Sequence, residues 1–175
     1  MRPDPHAHCG RCGAPFAATT WPRVCAACGH TAYNNPIPVA VVLLPVADGI
    51  LVVQRAIEPG LGMWALPGGF LEVGEPWRVG AARELFEETG IVVADSSLEI
   101  VEVHSTEDTR LILLFCAPSG PPLPALPTFA VNDEVQALEV LRRPRELAFP
   151  THTAVSGRYL LRLHGAIEAG RGDAG

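Results

Sequence analysis

Between Gly69 and Ile91 the chain reads Gly69-Phe-Leu-Glu-Val-Gly-Glu75, then seven residues, then Arg83-Glu84-Leu85-Phe86-Glu87-Glu88-Thr89-Gly90-Ile91. No other stretch constrains the fold as much. Pro76 suits the first turn of a helix and Gly90 its end, so the pattern predicts a helix over residues 76–89. At about 100° per residue, Glu84, Glu87 and Glu88 fall on one side of that helix. Val79, Ala82 and Phe86 recur opposite them as the stripe expected to be buried. Three carboxylates this close repel one another unless cations neutralise them, and hard oxygen ligands suit Mg2+ or Mn2+. A glycine-rich turn ahead of the helix lets a phosphate or a backbone carbonyl approach closely. A bare Glu-Glu pair would equally describe a solvated helix face, so the pair alone does not decide.

The surrounding pattern is α/β. Residues 39–44 and 50–55 are β-type runs joined through Ala47-Asp48-Gly49, a hairpin signal. Residues 98–104, 111–116 and 135–141 read as further strands, and 151–166 as a second helix with the last nine residues frayed. Residues 118–127 form a proline-rich connector. With 48% hydrophobic and 18% charged residues the chain falls among soluble globular proteins. The longest apolar run, 39–44, is too short to cross a bilayer, and Met1-Arg2-Pro3-Asp4-Pro5 has no apolar stretch behind it. The expected location is cytoplasmic.

All 13 basic residues are Arg. Without Lys, a Walker-type phosphate loop, Schiff-base chemistry and pyridoxal phosphate anchoring are excluded. A net charge of −6 argues against a protein whose main partner is nucleic acid, and gives no reason to expect a membrane partner. An anionic ligand would then need a metal ion to neutralise it.

Residues 1–33 stand apart. They hold four of the five Cys, as Cys9-x2-Cys12 and Cys25-x2-Cys28 with 12 residues between the pairs. Each pair is followed by Gly, which lets the backbone curl so that its amides face the sulfurs. Four thiolates at this spacing fit a closed tetrahedral Zn2+ site, with the metal supplying the folding energy of a segment too small for its own core. Two disulfides are the alternative, disfavoured in a reducing compartment. His6, His8 and His30 are substitute ligands, and Cys116 in an apolar strand reads as a core residue. Asn34-Asn35-Pro36 then turns into a main domain of residues 34–175.

The whole segment from Gly69 resembles the Nudix box, G-x5-E-x7-R-E-U-x-E-E-x-G-U with U apolar, and every fixed position is filled. Gly62-x-Trp64-x-Leu66-Pro67-Gly68-Gly69 resembles the usual lead-in. The resemblance implies an α/β/α sandwich with a mixed sheet, preceded here by a small zinc ribbon. It implies metal-dependent hydrolysis of nucleoside diphosphates linked to another group. Glu84, Glu87 and Glu88 match the carboxylates that hold Mg2+ or Mn2+, and Gly68 matches the position whose carbonyl often joins them. Gly69, Glu75, Arg83 and Gly90 match positions that shape the loop and helix. The family's general base varies, and Glu134, after the proline-rich segment and ahead of a strand, is the candidate from a later loop. Arg55, ending the second strand, is the candidate phosphate ligand.

A ribbon ahead of the box is similar to zinc-ribbon NADH pyrophosphatases and to shorter relatives acting on ADP-ribose or FAD. The SQPWPFPxS-type motif of the NADH group is absent, whereas Leu147-Ala148-Phe149-Pro150-Thr151-His152 resembles the shorter group. The favoured substrates are therefore ADP-ribose or FAD, ahead of NADH, and a homodimer is allowed. A nucleoside triphosphate house-cleaning pyrophosphatase is the alternative enzyme. A nucleotide-sensing or RNA-binding module is the alternative outside catalysis.

Overall fold

The computed structural model describes residues 4–172, and side chains through residue 165. Two compact units divide the chain, Met1–Pro36 and Ile37–Gly175.

In the first unit, β1 (Arg23–Val24) pairs antiparallel with β2 (Thr31–Ala32), and two matching turns carry the cysteines. Arg23 is a second anchor that sequence reading missed. It is only 7% exposed, its guanidinium lies 4.3 Å from the Trp21 ring centroid, and Nη1 donates to Asp4 (2.9 Å) and to the His6 carbonyl (2.7 Å). A cation stacked on an aromatic ring and tied to a carboxylate supplies some of the cohesion that an apolar core cannot.

In the second unit, period-2 alternation of the two central apolar runs decides what covers each side. The mixed sheet has the order β7 (Gly68–Phe70), β3 (Ile37–Val42), β9 (Leu111–Pro118), β8 (Leu98–Ser105). Only the β3–β9 pairing in it is parallel. The other sheet is antiparallel: β10 (Val135–Leu141), β5 (Gly49–Arg55), β4 (Pro45–Val46), with β6 (Trp64–Ala65) also on β5. Leu43 N donates to the Cys116 carbonyl at 2.7 Å, tying the continuation of β3 to β9.

The two helices take opposite faces. Ala40, Val42, Leu44, Leu51 and Cys116 bury against Ala81 and Leu85 of α1 (Trp77–Thr89). The alternate residues Val41, Leu43, Ile50, Val52 and Phe115 bury against Val155 and Leu160 of α2 (Pro150–Gly172). The result is an α/β/α sandwich. Cys116 is fully buried, as expected of a core thiol. No helix among the described residues is long and apolar enough to cross a membrane.

Two expectations are corrected. The stripe Val79, Ala82, Phe86 is not the buried one: Val79 and Phe86 are exposed, while Gly80, Ala81, Leu85, Glu88 and Thr89 are buried. Ala81 and Leu85 form a second apolar stripe, and the small Ala81 lets the helix sit closer to the sheet than Val79 or Phe86 would, while Gly80 makes room for Leu71 and Glu75 of the preceding loop. The second helix runs to Gly172, past residue 166; the remainder of the expected frayed end, residues 173–175, lies outside the described residues.

Docking of α2 depends on polar groups as well. Glu102 on β8 accepts from Arg158 (3.1 Å) and Arg162 (2.8 Å) on the helix, and from His104 on its own strand if that ring nitrogen is protonated. Those partners, Arg158 first, hold its carboxyl down at about 2. His152, near the start of α2, is only 7% exposed and its Nδ1 accepts from the Leu66 amide at 3.3 Å. Burial between Phe115 and Phe149, with the charge of Arg55 added, pushes its imidazole down to about 3. The native state therefore holds His152 neutral, and stability is lost as pH falls below its ordinary value of 6.5. Glu102 contributes in the same direction only below about 4.5, whereas Glu88, pushed up to about 8 by burial, acts in the opposite direction through the same window, so the His152 part is read as the difference between wild type and a variant. Relative to His152→Asn, the wild-type protein is expected to lose about 2 kcal/mol between pH 6.5 and about pH 5 in denaturant titrations, at ~1.4 kcal/mol per unit. The same pH dependence in both proteins would refute the assignment.

Candidate active site

The site grows from β7, the short strand between β6 and α1, where a turn was expected. At Gly68, φ is +144°, and a Cβ there would overlap the Ala40 carbonyl of the neighbouring strand. At Gly69 a Cβ would overlap the Glu84 carboxylate instead. Both glycines are thus demanded by close approach, one to backbone and one to a flexible acid. Gly68→Ala is accordingly expected to lower the melting temperature by several degrees, because strained backbone has nowhere to move. Gly69→Ala should leave the melting point nearly unchanged and displace Glu84. If both variants melt alike, this distinction fails.

Glu84 and Glu88, one helical turn apart, face these two glycines, whereas Glu87 points outward with its side chain 55% exposed. Glu88 is only 6% exposed, and its Oε2 accepts from the Gly68 amide at 2.9 Å. Burial pushes Glu88 up to about 8, and the charges of Glu84 and Glu134 add to the rise. Glu84 is raised too, by burial first, with Glu87 and Glu134 contributing. Two crowded, desolvated carboxylates of this kind match the donor set of a hard divalent cation.

Arg83 organises the outer side. Nη2 and Nε donate to the two oxygens of Glu75 (2.8 and 3.2 Å), and Nη1 to Glu84 (2.8 Å) and Glu87 (2.9 Å). Glu75 also accepts from the Glu72 amide, which fixes the loop on the helix. The helix itself closes at Gly90. Because one guanidinium bridges Glu84 and Glu87, the three box carboxylates do not converge on one point. Among the described residues, the only group of three or more potential ligand side chains that does so is the cysteine set.

Arg55 and Glu134 approach from the other sheet. Arg55 donates through Nε to the Pro59 carbonyl (2.7 Å), and its guanidinium lies 5.2 Å from the Phe149 ring centroid. Its charge reaches both Glu88 and His152. Glu134 is exposed, and its carbonyl accepts from the Ala56 amide at 2.7 Å, beside Arg55. Asn132, which sequence reading missed, links this loop to the box helix. Its Nδ2 donates to the Glu87 and Glu88 carbonyls (3.2 Å each), and its Oδ1 accepts from the Glu134 (3.0 Å) and Val135 (2.8 Å) amides. An Asn three residues ahead of a β-type run is an Asx-turn signal, and that was the available clue.

In the first unit, Cys9, Cys12, Cys25 and Cys28 bring their sulfurs within 4.8 Å of one another, and all four are free. The Cys9–Cys28 and Cys12–Cys25 sulfurs are 3.8 and 3.6 Å apart. A tetrahedron with Zn–S bonds of about 2.3 Å has edges of about 3.8 Å. The two turns repeat each other: Gly13 N donates to the Cys9 carbonyl (2.8 Å) and Gly29 N to Cys25 (2.9 Å), with positive φ of 75° and 70°. The cluster could bind zinc.

Comparison with known proteins agrees with this geometry. A model of the NUDIX domain matches residues 35–163. An NAD-capped RNA hydrolase NudC from Citrobacter koseri is 37% identical over 90 residues, covering 50% of this chain and 35% of that protein. The chain thus aligns with about a third of the length of the curated relatives it matches. A NUDIX hydrolase structure from Nitrosomonas europaea shares the fold with a TM-score of 0.62, at 24% identity, covering 90% of this chain and 92% of that one. A bifunctional NMN adenylyltransferase/ADP ribose pyrophosphatase from Francisella tularensis, complexed with AMP and a manganese ion, has a TM-score of 0.53 and 31% identity. It covers 62% of this chain and 34% of that one. With the matched segment spanning most of the chain and the box complete, this chain belongs to the NUDIX domain family.

Proposed function

We propose that the chain hydrolyses the pyrophosphate bond of a nucleoside diphosphate linked to another group, with ADP-ribose or FAD ahead of NADH. The observation that carries this reading is the pairing of Glu84 and Glu88 against Gly68 and Gly69 of β7, with Arg55 and Glu134 within electrostatic reach. Glu84, Glu87, Glu88 and the Gly68 carbonyl are the assigned ligands of Mg2+ or Mn2+, and the four cysteines those of a structural Zn2+. A bound divalent ion would neutralise the pyrophosphate and lower the pKa of an attacking water. Arg55, braced by the Pro59 carbonyl and Phe149, then orients a phosphate, and Glu134 takes the proton from the water. Arg83 Nη1 takes Glu84 Oε1 and Glu87 Oε2, which leaves the other oxygen of each carboxylate for a cation while the remaining nitrogens keep Glu75. Glu75 and Arg83 thus hold the loop to the helix.

The activities for which these relatives are named, hydrolysis of NAD-capped RNA and of ADP-ribose, both concern a bridging pyrophosphate and support the same class. The test is a screen of ADP-ribose, FAD, NADH, an NAD-capped oligoribonucleotide and free nucleoside triphosphates with Mg2+ and Mn2+. Release of a nucleoside monophosphate from one of the first four is the expected result. Rapid hydrolysis of triphosphates alone would replace this reading with the house-cleaning one.

A further inference from the structure

Helix α1 ends with carbonyls that have no partner within the helix, and the loop ahead of β10 begins with amides that have none within the sheet. One side chain joins the two. Asn132 has two N–H donors and one carbonyl oxygen with two lone pairs, and all four valences are used. The donors reach the Glu87 and Glu88 carbonyls, and the acceptor takes the Glu134 and Val135 amides. Asn132 N also donates to the Val135 carbonyl at 3.1 Å, so the turn is closed by backbone as well. Glu134 is therefore held from both ends: its amide by Asn132 to the helix that carries Glu84 and Glu88, its carbonyl by Ala56 to the strand end that carries Arg55.

We infer that Asn132 is a positioning residue, a clamp that sets the distance between the Glu134 loop and the box helix and so holds the proton acceptor in register with the box carboxylates. The inference rests on the assignment of Glu134 proposed above. Other side chains fit the role poorly. Asp keeps the acceptor half but sets a carboxylate against two helix carbonyls; Ser is too short to span both partners; Ala keeps neither half.

The experiment compares Asn132→Ala, Asn132→Asp, Glu134→Gln and the double variant Asn132→Ala/Glu134→Gln. In metal-free protein, amide hydrogen exchange at Glu134 and Val135 is expected to speed up about tenfold in Asn132→Ala, the loss of a single hydrogen bond each, while Leu138 within β10 keeps its rate. Asn132→Asp should keep both amides protected. In assays on the best substrate of the screen, both Asn132 variants should lose about ten- to a hundredfold in kcat with KM nearly unchanged, as a loosened catalytic group implies. The double variant should be no slower than Glu134→Gln alone, since the clamp acts through that residue. Wild-type exchange at both amides in Asn132→Ala overturns the clamp. So does wild-type kcat in Asn132→Ala beside an impaired Glu134→Gln, or additive losses in the double variant, and in those cases the Glu134 assignment survives. Full activity in Glu134→Gln removes that assignment and the inference with it.

Discussion

Replacing Glu88 with Gln is expected to cut turnover about a thousandfold or more while leaving the protein folded, several kcal/mol of transition-state stabilisation being lost with one metal-ligand charge. The structure explains why the fold should survive. Gln keeps a carbonyl oxygen for the Gly68 amide, and it removes an ionisable group whose charge is disfavoured at a position only 6% exposed and crowded by Glu84 and Glu134. Melting temperature measured in chelator should therefore hold or rise. Glu84→Gln should behave similarly, since its carbonyl still accepts from Arg83 Nη1. Steady-state rates with Mg2+ and thermal melts in chelator form the check. A variant at wild-type rate would take that residue out of the site, and a collapse in melting temperature would mean that the carboxylate is structural.

The second large effect lies in the ribbon. Purified protein should carry about one zinc per chain, and Cys25→Ala should abolish it, with on the order of 10 kcal/mol of metal-linked folding energy lost. Cys25 is the informative position because its sulfur is buried and its backbone amide and carbonyl close the second turn, to His30 and Gly29. Elemental analysis with limited proteolysis should find cleavage within residues 4–36 in the variant and resistance from Ile37 onward. A zinc-free wild-type protein with an intact ribbon would sink the site, as would a pair of disulfides.

The legible parts of this molecule are those in which one local rule decides. The turn at Ala47-Asp48-Gly49, the strand Val135–Leu141 and the bounds of α1 follow from alternation and from Pro76 and Gly90. The run 39–44 expected to form the hairpin with 50–55, however, lies mainly in the other sheet as β3, and β4 is the strand that pairs with β5 across the turn. The cysteine geometry follows from spacing. What escaped reading is set by tertiary competition. Helix α1 has two apolar stripes, and periodicity cannot rank Val79–Ala82–Phe86 against Ala81–Leu85 because the choice depends on how near the sheet allows the backbone to come. The inward turn of Glu84 and Glu88 with Glu87 left outside depends on where Gly68, Gly69 and Arg83 lie. His152 looked like part of a motif and proved to be a neutral ring wedged between Phe115 and Phe149. Asn132 acts on residues more than forty positions away, a distance at which no local pattern speaks.

The parallel join of β3 to β9 also dictates the order in which a growing chain can finish itself. Ile37 pairs with Leu111 and Val42 with Cys116, so β3 waits for residues made long after β7 and α1. β7 can pair on one side of β3 at once, but the other side stays an open edge throughout that interval. The surface against which Ala81 and Leu85 bury includes Cys116, so the box helix cannot seat fully until β9 has left the ribosome. A chain interrupted before Leu111 would carry the whole box together with an uncovered apolar strand, which is a template for pairing with other chains. Assembly of the hydrolytic site is thus gated by a strand that contributes no residue to it.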